Sequence, residues 1–232
     1  MEQAQHKSRT ARTFDVLRDA IVESEFRPGQ KLHIDQLGKR YDASIGAVRE
    51  ALSRLTAEGL VIAMPQKGFH VAPVSRKDLE DLTDVRVEVE CRCLALSIRH
   101  GDLEWEGRVL GLQHQLRALD GAWRRVGTPE SERWHLLHTQ FHDALADACR
   151  NDWWLRLRRQ LFVQSERYRR LSRDLDAGGR DVTAEHDAIA DAALARDTET
   201  AVAAMERHLR GTTGILLRAP LPFADEAPNG LG

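Results

Sequence analysis

The sequence predicts a mainly α-helical protein with two parts, an N-terminal winged helix-turn-helix carrying a small β-hairpin wing and a C-terminal antiparallel all-α bundle. Between residues 10 and 74, three stretches with apolar residues every three or four positions precede two short β-prone runs. From about residue 77 to 217 the apolar spacing is helical and is broken only by short polar or glycine-containing segments. The expected domains are residues 1–75, 76–218 and a flexible tail, 219–232.

In the N-terminal part, the apolar spacing predicts a first helix over about 10–25, which ends before a turn at Pro28-Gly29. A second helix is expected over 34–41. The third begins at Ser44, a favourable N-cap residue, and runs to about residue 58. The runs "LVIAM" and "FHVAPV", joined by "PQKG", predict a hairpin. This order of elements is typical of DNA readers in which the second helix of the helix-turn-helix enters the major groove.

The C-terminal part is predicted to be a bundle of about 140 residues. Its helices are separated by "HGD", "GAWRRVGTPE", "RND", "DAGGR" and "RDTE". The six expected helices cover roughly 77–100, 102–121, 129–149, 151–173, 181–196 and 198–217.

Composition and charge place this chain among folded, cytoplasmic proteins. Hydrophobic residues make up 42% and charged residues 30% of 232 residues, and no apolar run is long enough to span a membrane. The N-terminus has no apolar secretory segment, and the three cysteines lack metal-type spacing. Up to residue 75 there are 11 basic and 9 acidic residues, against 23 and 27 afterwards. A mildly basic N-terminal part permits contact with nucleic acid.

The start of the third helix and the hairpin turn carry the candidate DNA contacts. In a major groove, the exposed face of the helix would present Ser44, Ile45, Ala47, Arg49 and Arg54. Arg49 can bind guanine or a phosphate, Ser44 can donate to phosphate, and Gly46 allows close approach of the DNA backbone. Lys67 and Gly68 at the hairpin turn can enter the minor groove. The alternative is that these charged side chains are merely solvated and Gly68 is only a turn residue.

Histidines form the second candidate site. His138 and His142 are four residues apart, so they share one helix face and can share a metal ion. His186 and His208 follow on later predicted helices, but spacing alone cannot bring them together. Surface or core positions remain the alternative for each histidine. Glu185 and Asp143 adjoin two of these residues, and both are expected to point elsewhere on their helices.

The motifs of the N-terminal part resemble the GntR family of bacterial transcription regulators. "FRPGQKL", "QLGKRYDASIGAVREALSRLTAEGLV" and "QKGFHV" match that family's PG-x-x-L and V-S-R-T-P-V-R-E-A-L pattern over nearly the whole N-terminal part. The resemblance implies binding to double-stranded operator DNA. Where the family has Arg-Thr-Pro, this chain has Ile45-Gly46-Ala47, which removes an arginine that often contacts DNA in relatives and leaves Ile45 suited to a thymine methyl group. The contacts that the resemblance implies are Arg40, Ser44, Gly46, Arg49, Lys67 and Gly68.

The C-terminal part resembles the FCD effector domain of the FadR subfamily, on the ordered segments "DLEDLTDVRVEVE", "FHDAL", "EHDAI" and "RHL". Many members of that group hold a divalent metal with one aspartate and three histidines. The three histidines correspond to His142, His186 and His208, and the aspartate position is His138. The resemblance therefore implies an all-histidine site, and imidazole donors suit Zn²⁺ or Ni²⁺ better than Mg²⁺ or Ca²⁺.

The same resemblance implies a small carboxylate effector that coordinates the metal. Arg86 corresponds to the arginine of the domain's first helix and is the expected carboxylate clamp. Asn151 and Tyr168 are further candidates, although Asn151 can instead cap a helix and Tyr168 can lie at the surface. "QKG" and "RHGDLEWE" resemble a branch whose members respond to dicarboxylates of amino-acid catabolism, so a glutarate-like acid is expected.

Together these features predict a homodimeric, ligand-responsive repressor that is not an enzyme and has no membrane partner. Two N-terminal parts would read a two-fold operator, which is the reason to expect a dimer. Two alternatives remain. One is a metal-dependent enzyme built on the histidine cluster, and the other is a constitutive DNA binder with a structural bundle.

Overall fold

A computed structural model describes residues 9–125, 127–171, 180–218 and 223. The chain divides into two compact units. The winged-helix unit comprises the described residues up to Arg76 together with 166–171 and Phe223. The helical unit comprises residues 77–165 and 180–218.

The winged-helix unit contains three helices and a three-stranded antiparallel sheet in the order β1-β3-β2. Its core is formed by helix residues with the predicted three-to-four spacing, among them Leu17, Ile21, Val48 and Leu52, which are almost completely buried. The elements are α1 (Arg9–Val22), β1 (Lys31–Leu32), α2 (Ile34–Arg40), α3 (Ile45–Ala57), β2 (Val61–Met64) and β3 (Gly68–Val71). The predicted winged helix-turn-helix is therefore confirmed.

The predicted hairpin is formed by β2 and β3, with Met64 paired to Gly68 across the turn. Gln66 and Gly68 both have positive φ angles, of 61° and 86°. Glycine adopts such angles without strain, so Gly68 suits this turn. The short strand β1 was not predicted, and it pairs with β3 through Leu32 and Phe69.

Residues from later in the chain complete the winged-helix unit. The Arg167 guanidinium donates to the carbonyl oxygens of Ala72 and Pro73, each at 3.1 Å. Phe223 is buried and lies 4.7 Å from the Arg76 guanidinium. The expected tail at 219–232 falls otherwise outside the described residues, and this one described residue is packed rather than exposed.

The helical unit confirms the predicted helices, with ends that differ by a few residues. Asp102, Thr128 and Asp181 accept capping hydrogen bonds at the starts of three of them, which explains where these helices begin. The end of the predicted helix 151–173 falls outside the described residues. The helices are α4 (Arg76–His100), α5 (Leu103–Ala118), α6 (Pro129–Asp147), α7 (Asp152–Leu171), α8 (Val182–Leu194) and α9 (Thr198–Arg218), with a 3₁₀ turn at Ala122–Arg124.

Large apolar side chains fill the centre of the helical unit, where α5 packs against α6 and α8, and α8 packs against α9. Trp105 is completely buried, and its indole N–H donates to the carbonyl oxygen of Ala144 at 2.8 Å. Phe141, Leu145 and Ile189 surround the same core. In the part of the chain that the structure describes, none of the helices has the length and apolar character needed to cross a membrane.

Candidate functional site

Three helices of the helical unit bring four histidines together. Helix α6 supplies His138 and His142 from one face, α8 supplies His186 and α9 supplies His208. All four are buried, and one ring nitrogen from each lies within 4.8 Å of the others. The four histidines expected from the sequence are therefore adjacent in the fold.

The chemistry of this histidine cluster fits a metal ion. His142 is fully buried, and neither of its ring nitrogens has a hydrogen-bond partner among the described residues. Buried polar atoms normally have partners, so the ring nitrogen that carries the lone pair is available to an ion or ligand. An ion bound about 2.0–2.1 Å from each nitrogen holds its ligands within roughly 4 Å of one another. A small movement of the four rings toward one another would bring their nitrogens to these distances.

Two of the four rings, those of His142 and His208, are held in an environment that favours the neutral form. Burial lowers the pKa of His142 well below its ordinary value, and the neighbouring His208, His186, Arg86 and Arg158 lower it further. Burial likewise lowers the pKa of His208. Neutral imidazole is the form that coordinates a metal, so the lowered pKa values of His142 and His208 favour metal binding.

A carboxylate outside the cluster orients one of the rings. The Oε2 atom of Glu185 lies 2.9 Å from Nδ1 of His208, and the Arg180 guanidinium donates to both oxygens of the same carboxylate. Burial would raise the pKa of Glu185, but the hydrogen bonds from His208 and Arg180 outweigh it and lower that pKa to about 2. The ionised carboxylate only accepts, so Nδ1 of His208 carries the proton and Nε2 is the nitrogen left to bind a metal.

The prediction that Glu185 points away from the histidines is wrong. Although Glu185 is rotated from His186 by one residue of helix α8, that rotation turns it toward the neighbouring α9, where His208 lies. Asp143 does point elsewhere, since its carboxylate accepts from the Arg158 guanidinium at 2.6 Å and is half exposed.

An aromatic ring also contacts the cluster. The Trp134 ring is stacked on that of His138, with 4.8 Å between centroids and 20° between planes. Trp134 precedes His138 by one helical turn, so the sequence contained the signal for this contact. The stacking limits the orientations that the His138 ring can adopt.

Arg86 lies in the interior of the helical unit, as its predicted role requires. Its guanidinium donates to the Ser165 hydroxyl and lies 3.5 Å from the Glu90 carboxylate. The other oxygen of Glu90 accepts from Nε of Arg158 at 2.7 Å. Both arginines lie beside the Phe162 ring. Arg158 was not singled out in the sequence, because only the packing of α7 against α4 reveals that it is buried.

The structure gives the other two effector candidates different partners. The side-chain oxygen of Asn151 accepts from the backbone N–H groups of Trp153 and Trp154, each at 3.1 Å, which is helix capping. Tyr168 belongs to the winged-helix unit, where its hydroxyl bonds to the backbone of Ser75. The effector site therefore rests on Arg86.

The N-terminal end of α3 forms an exposed surface in the winged-helix unit. Ser44 caps the helix by accepting from the Ala47 N–H, Ile45 is 54% exposed, and Arg49 is exposed one turn further on. Nothing lies within 4 Å of where a Cβ atom of Gly46 would be. At the hairpin turn, Lys67 is exposed as well.

One member of the expected exposed face is placed differently. Ala47 is buried, because the start of α3 turns this position toward the core. Arg54 is exposed, as expected, and its guanidinium lies 4.0 Å from the Phe14 ring. Arg40 is exposed and forms an ion pair with Glu25. A cleft of about 840 Å³ lies beside the start of α3 and contains a further cation, Arg12, that the sequence analysis did not identify.

These two units define a class of protein: a winged-helix DNA-binding unit followed by an effector-type helical unit with a buried cluster of metal-ligand residues. The model of bacterial regulatory proteins of the gntR family matches residues 9–71, and the FCD domain model matches residues 81–211. The chain belongs to the GntR family and carries an FCD domain. It is a DNA-binding transcription regulator with an effector-binding domain.

Relatives and solved structures agree with this assignment. The chain is 40% identical to the HTH-type transcriptional regulator BphR of Paraburkholderia xenovorans over 88% of this chain and 83% of that one. It is 34% identical to the HTH-type transcriptional repressor GlaR of Escherichia coli over 92% and 94%. A putative GntR regulator from Rhodococcus sp. RHA1 has a TM-score of 0.72 at 26% identity, covering 92% and 99%. The E. coli McbR/YncC structure, at 20% identity, shares the fold with a TM-score of 0.77 over 91% and 98%.

Proposed function

We propose that this regulator is a homodimeric repressor whose helical unit binds a divalent metal, Zn²⁺ or Ni²⁺, and a small carboxylate or dicarboxylate effector that modulates operator binding. The observation that carries the proposal is the set of four buried imidazoles whose nitrogens lie within 4.8 Å of one another. A set made only of nitrogen donors favours Zn²⁺ or Ni²⁺ over the oxygen-preferring Mg²⁺ and Ca²⁺.

The chain's own residues then divide the work of ligand binding. His138, His142, His186 and His208 would hold the ion, and Glu185 would keep His208 in the tautomer that binds it. The bound ion would supply a Lewis-acidic position for a carboxylate oxygen. Arg86, whose side chain is buried within the unit, would receive the effector's carboxylate.

Operator binding is assigned to the exposed start of α3 and to the hairpin turn. Arg49 reads a base edge or a phosphate, Ser44 and the start of α3 receive a phosphate, and Lys67 and Gly68 enter the minor groove. Arg40 lies nearby and would exchange its ion pair with Glu25 for a phosphate. The effector acts by binding one arrangement of the protein better than another, which shifts the population that binds the operator.

Metal content tests the cluster. The double variant His142→Ala, His186→Ala is expected to lose the ion that the wild-type chain retains, as measured by mass spectrometry of metals after gel filtration. His114→Ala together with His33→Ala, two histidines outside the cluster, is the matched control and should keep the metal. Unchanged metal content in the cluster variant would refute the site.

A thermal-shift screen of small carboxylates with the metal-loaded protein tests the effector. A ligand that binds the native state raises its melting temperature by mass action. The competing enzyme hypothesis makes a different prediction, since adding Zn²⁺ to the metal-free protein would then produce turnover of a carboxylate. A constitutive DNA binder would respond to no carboxylate in either assay.

A further inference from the structure

Arg158 of α7 has a buried hydrogen-bond donor that the described protein residues do not use. Its side chain is 3% exposed. Nε donates to Glu90 at 2.7 Å and Nη1 to Asp143 at 2.6 Å. Nη2 has no partner among the residues that the structure describes. Leaving a buried N–H of a charged group without an acceptor is costly, so this atom points to a ligand oxygen.

The charges around this donor also favour an anion. Arg86 and Arg158 are both buried and share Glu90, which is 2% exposed, whereas Asp143 is half exposed to solvent. Among the described residues, Glu90 is thus the buried carboxylate that both guanidinium groups share, and Asp143 pairs with Arg158 from the solvent side. A buried guanidinium N–H forms a stronger hydrogen bond with an ionised acceptor than with a neutral one, so an anion is the favoured partner of this donor.

Arg86 and Arg158 lie close to the histidine cluster. The Phe162 ring lies 5.1 Å from the Arg86 guanidinium, 5.6 Å from that of Arg158 and 6.3 Å from the His142 ring. Both arginines contribute to lowering the pKa of His142, as expected of charges close to that ring.

We propose that Nη2 of Arg158 binds the second carboxylate of an aliphatic dicarboxylate, whose first carboxylate binds Arg86 and the metal. This inference rests on the proposed function and assigns the effector's selectivity to one residue. A carboxylate accepts hydrogen bonds and carries charge, so it would form a charge-assisted hydrogen bond with Nη2 of Arg158. A neutral amide at the same position would accept only a weaker hydrogen bond from this donor.

The first experiment changes the ligand and leaves the protein intact. Succinate, glutarate and adipate are each titrated into the zinc-loaded full-length chain by calorimetry, beside the monoamide of the same acid. We expect at least one diacid to bind about ten to a hundred times more tightly than its monoamide, the range for a hydrogen bond between charged groups. Equal affinities for every pair would overturn the inference. If no acid or monoamide bound at all, the proposed carboxylate effector would fail as well.

The second experiment changes the protein. Arg158→Lys keeps the charge but loses the fixed fork of donors, so we expect about a tenfold loss for the diacid and a smaller loss for the monoamide, whose amide oxygen accepts a weaker hydrogen bond. Arg86→Lys should weaken both ligands, and Arg156→Lys, on the exposed face of the same helix, should weaken neither. An equal loss of both ligands in Arg158→Lys would assign this residue a structural role and overturn the inference. The ligand comparison on the unaltered chain decides the matter if this variant does not fold.

Discussion

Glu185 connects two helices of the helical unit through one carboxylate, which accepts from Arg180 on one side and from His208 on the other. A hydrogen bond of this kind fixes the tautomer of a metal-binding histidine and strengthens it as a ligand. We therefore expect Glu185→Gln to weaken Zn²⁺ affinity about ten- to a hundredfold. Competition with a chromophoric chelator measures this affinity.

The matched control for that variant is Glu206→Gln, on α9 two residues before His208. Glu206 pairs with Arg210 at the surface and does not contact the cluster in any described interaction. Its Zn²⁺ affinity should equal that of the wild type. If Glu185→Gln bound Zn²⁺ as tightly as this control, the proposed orientation of His208 would be contradicted.

Arg49 is the polar side chain expected to read the operator. Removing an arginine that contacts a base or phosphate costs about 1–3 kcal/mol at each site, and a dimer would lose this at both sites. Arg49→Ala should therefore lose the gel shift of an operator selected with the wild-type protein, while sedimentation shows the same oligomer. Lys77→Ala, which removes an exposed charge from the helical unit, should bind normally. Normal binding by Arg49→Ala would contradict the assignment of α3 as the recognition helix.

At the residue scale, the sequence predicted the role of a side chain where that role depends on spacing within one helix. His138 and His142 were paired because they are four residues apart, and Ser44 was recognised as a cap from its position. Glu185, Arg158 and Trp134 were not recognised, because their roles depend on which face of a neighbouring helix each one meets. That information is three-dimensional and is not contained in the spacing within one helix.

At the scale of elements, the close packing at the junction between α4 and α5 depends on a glycine. A Cβ atom on Gly101 would overlap the buried Trp105 ring and lie 2.9 Å from the Ser97 carbonyl oxygen. Gly101→Ala should therefore lower the free energy of unfolding by roughly 1–3 kcal/mol. All five tryptophans, at positions 105, 123, 134, 153 and 154, lie in the helical unit, so urea unfolding followed by tryptophan fluorescence reports on this unit.

Gly107→Ala is the control for that experiment. Gly107 lies on the exposed face of α5, away from the ends of the helix, and nothing lies within 4 Å of where its Cβ atom would be. Alanine is the better helix former by about 1 kcal/mol, so this variant should be slightly more stable than the wild type. Equal stability of the two variants would contradict the close packing of Gly101 against Trp105.

Helices were predicted well because their signals are repeated along many residues and their starts carry capping side chains. Strand β1 could not be predicted, since two residues give no periodicity and its pairing with β3 joins positions almost forty residues apart. Ala47 was misplaced for a related reason. At the first turn of a helix, one residue of error in the start rotates the expected face by about 100°.

At the scale of the whole molecule, DNA binding should depend strongly on salt. Each neutralised phosphate releases counterions, so a dimer making about six phosphate contacts loses about a thousandfold in affinity between 50 and 200 mM salt. Fluorescence anisotropy with the selected operator measures this change. The melting temperature of the metal-loaded protein at the two salt concentrations is the control. A flat salt dependence would argue against phosphate contacts by Ser44, Arg40 and Lys67.

The sequence anticipated two units and the class of each, because the change from short helices and a hairpin to continuous helices occurs at one place in the chain. It did not anticipate that residues 166–171 and Phe223 complete the winged-helix unit. Arg167 and the backbone of Ala72 are 95 residues apart, and the hydrogen bond between them depends on the path of the chain in space.

The resemblance to the FCD domain implies that His138 occupies the position of an aspartate, which would contribute a negative charge. A divalent ion held by four neutral rings keeps its full charge of +2, in an interior that already contains Arg86 and Arg158. Under the proposed function, an anionic acid offsets this charge, so each ligand increases the affinity for the other by the same factor. A regulator with this coupling would respond to metal and acid together. Its binding to the operator would depend on the supply of both rather than on either one alone.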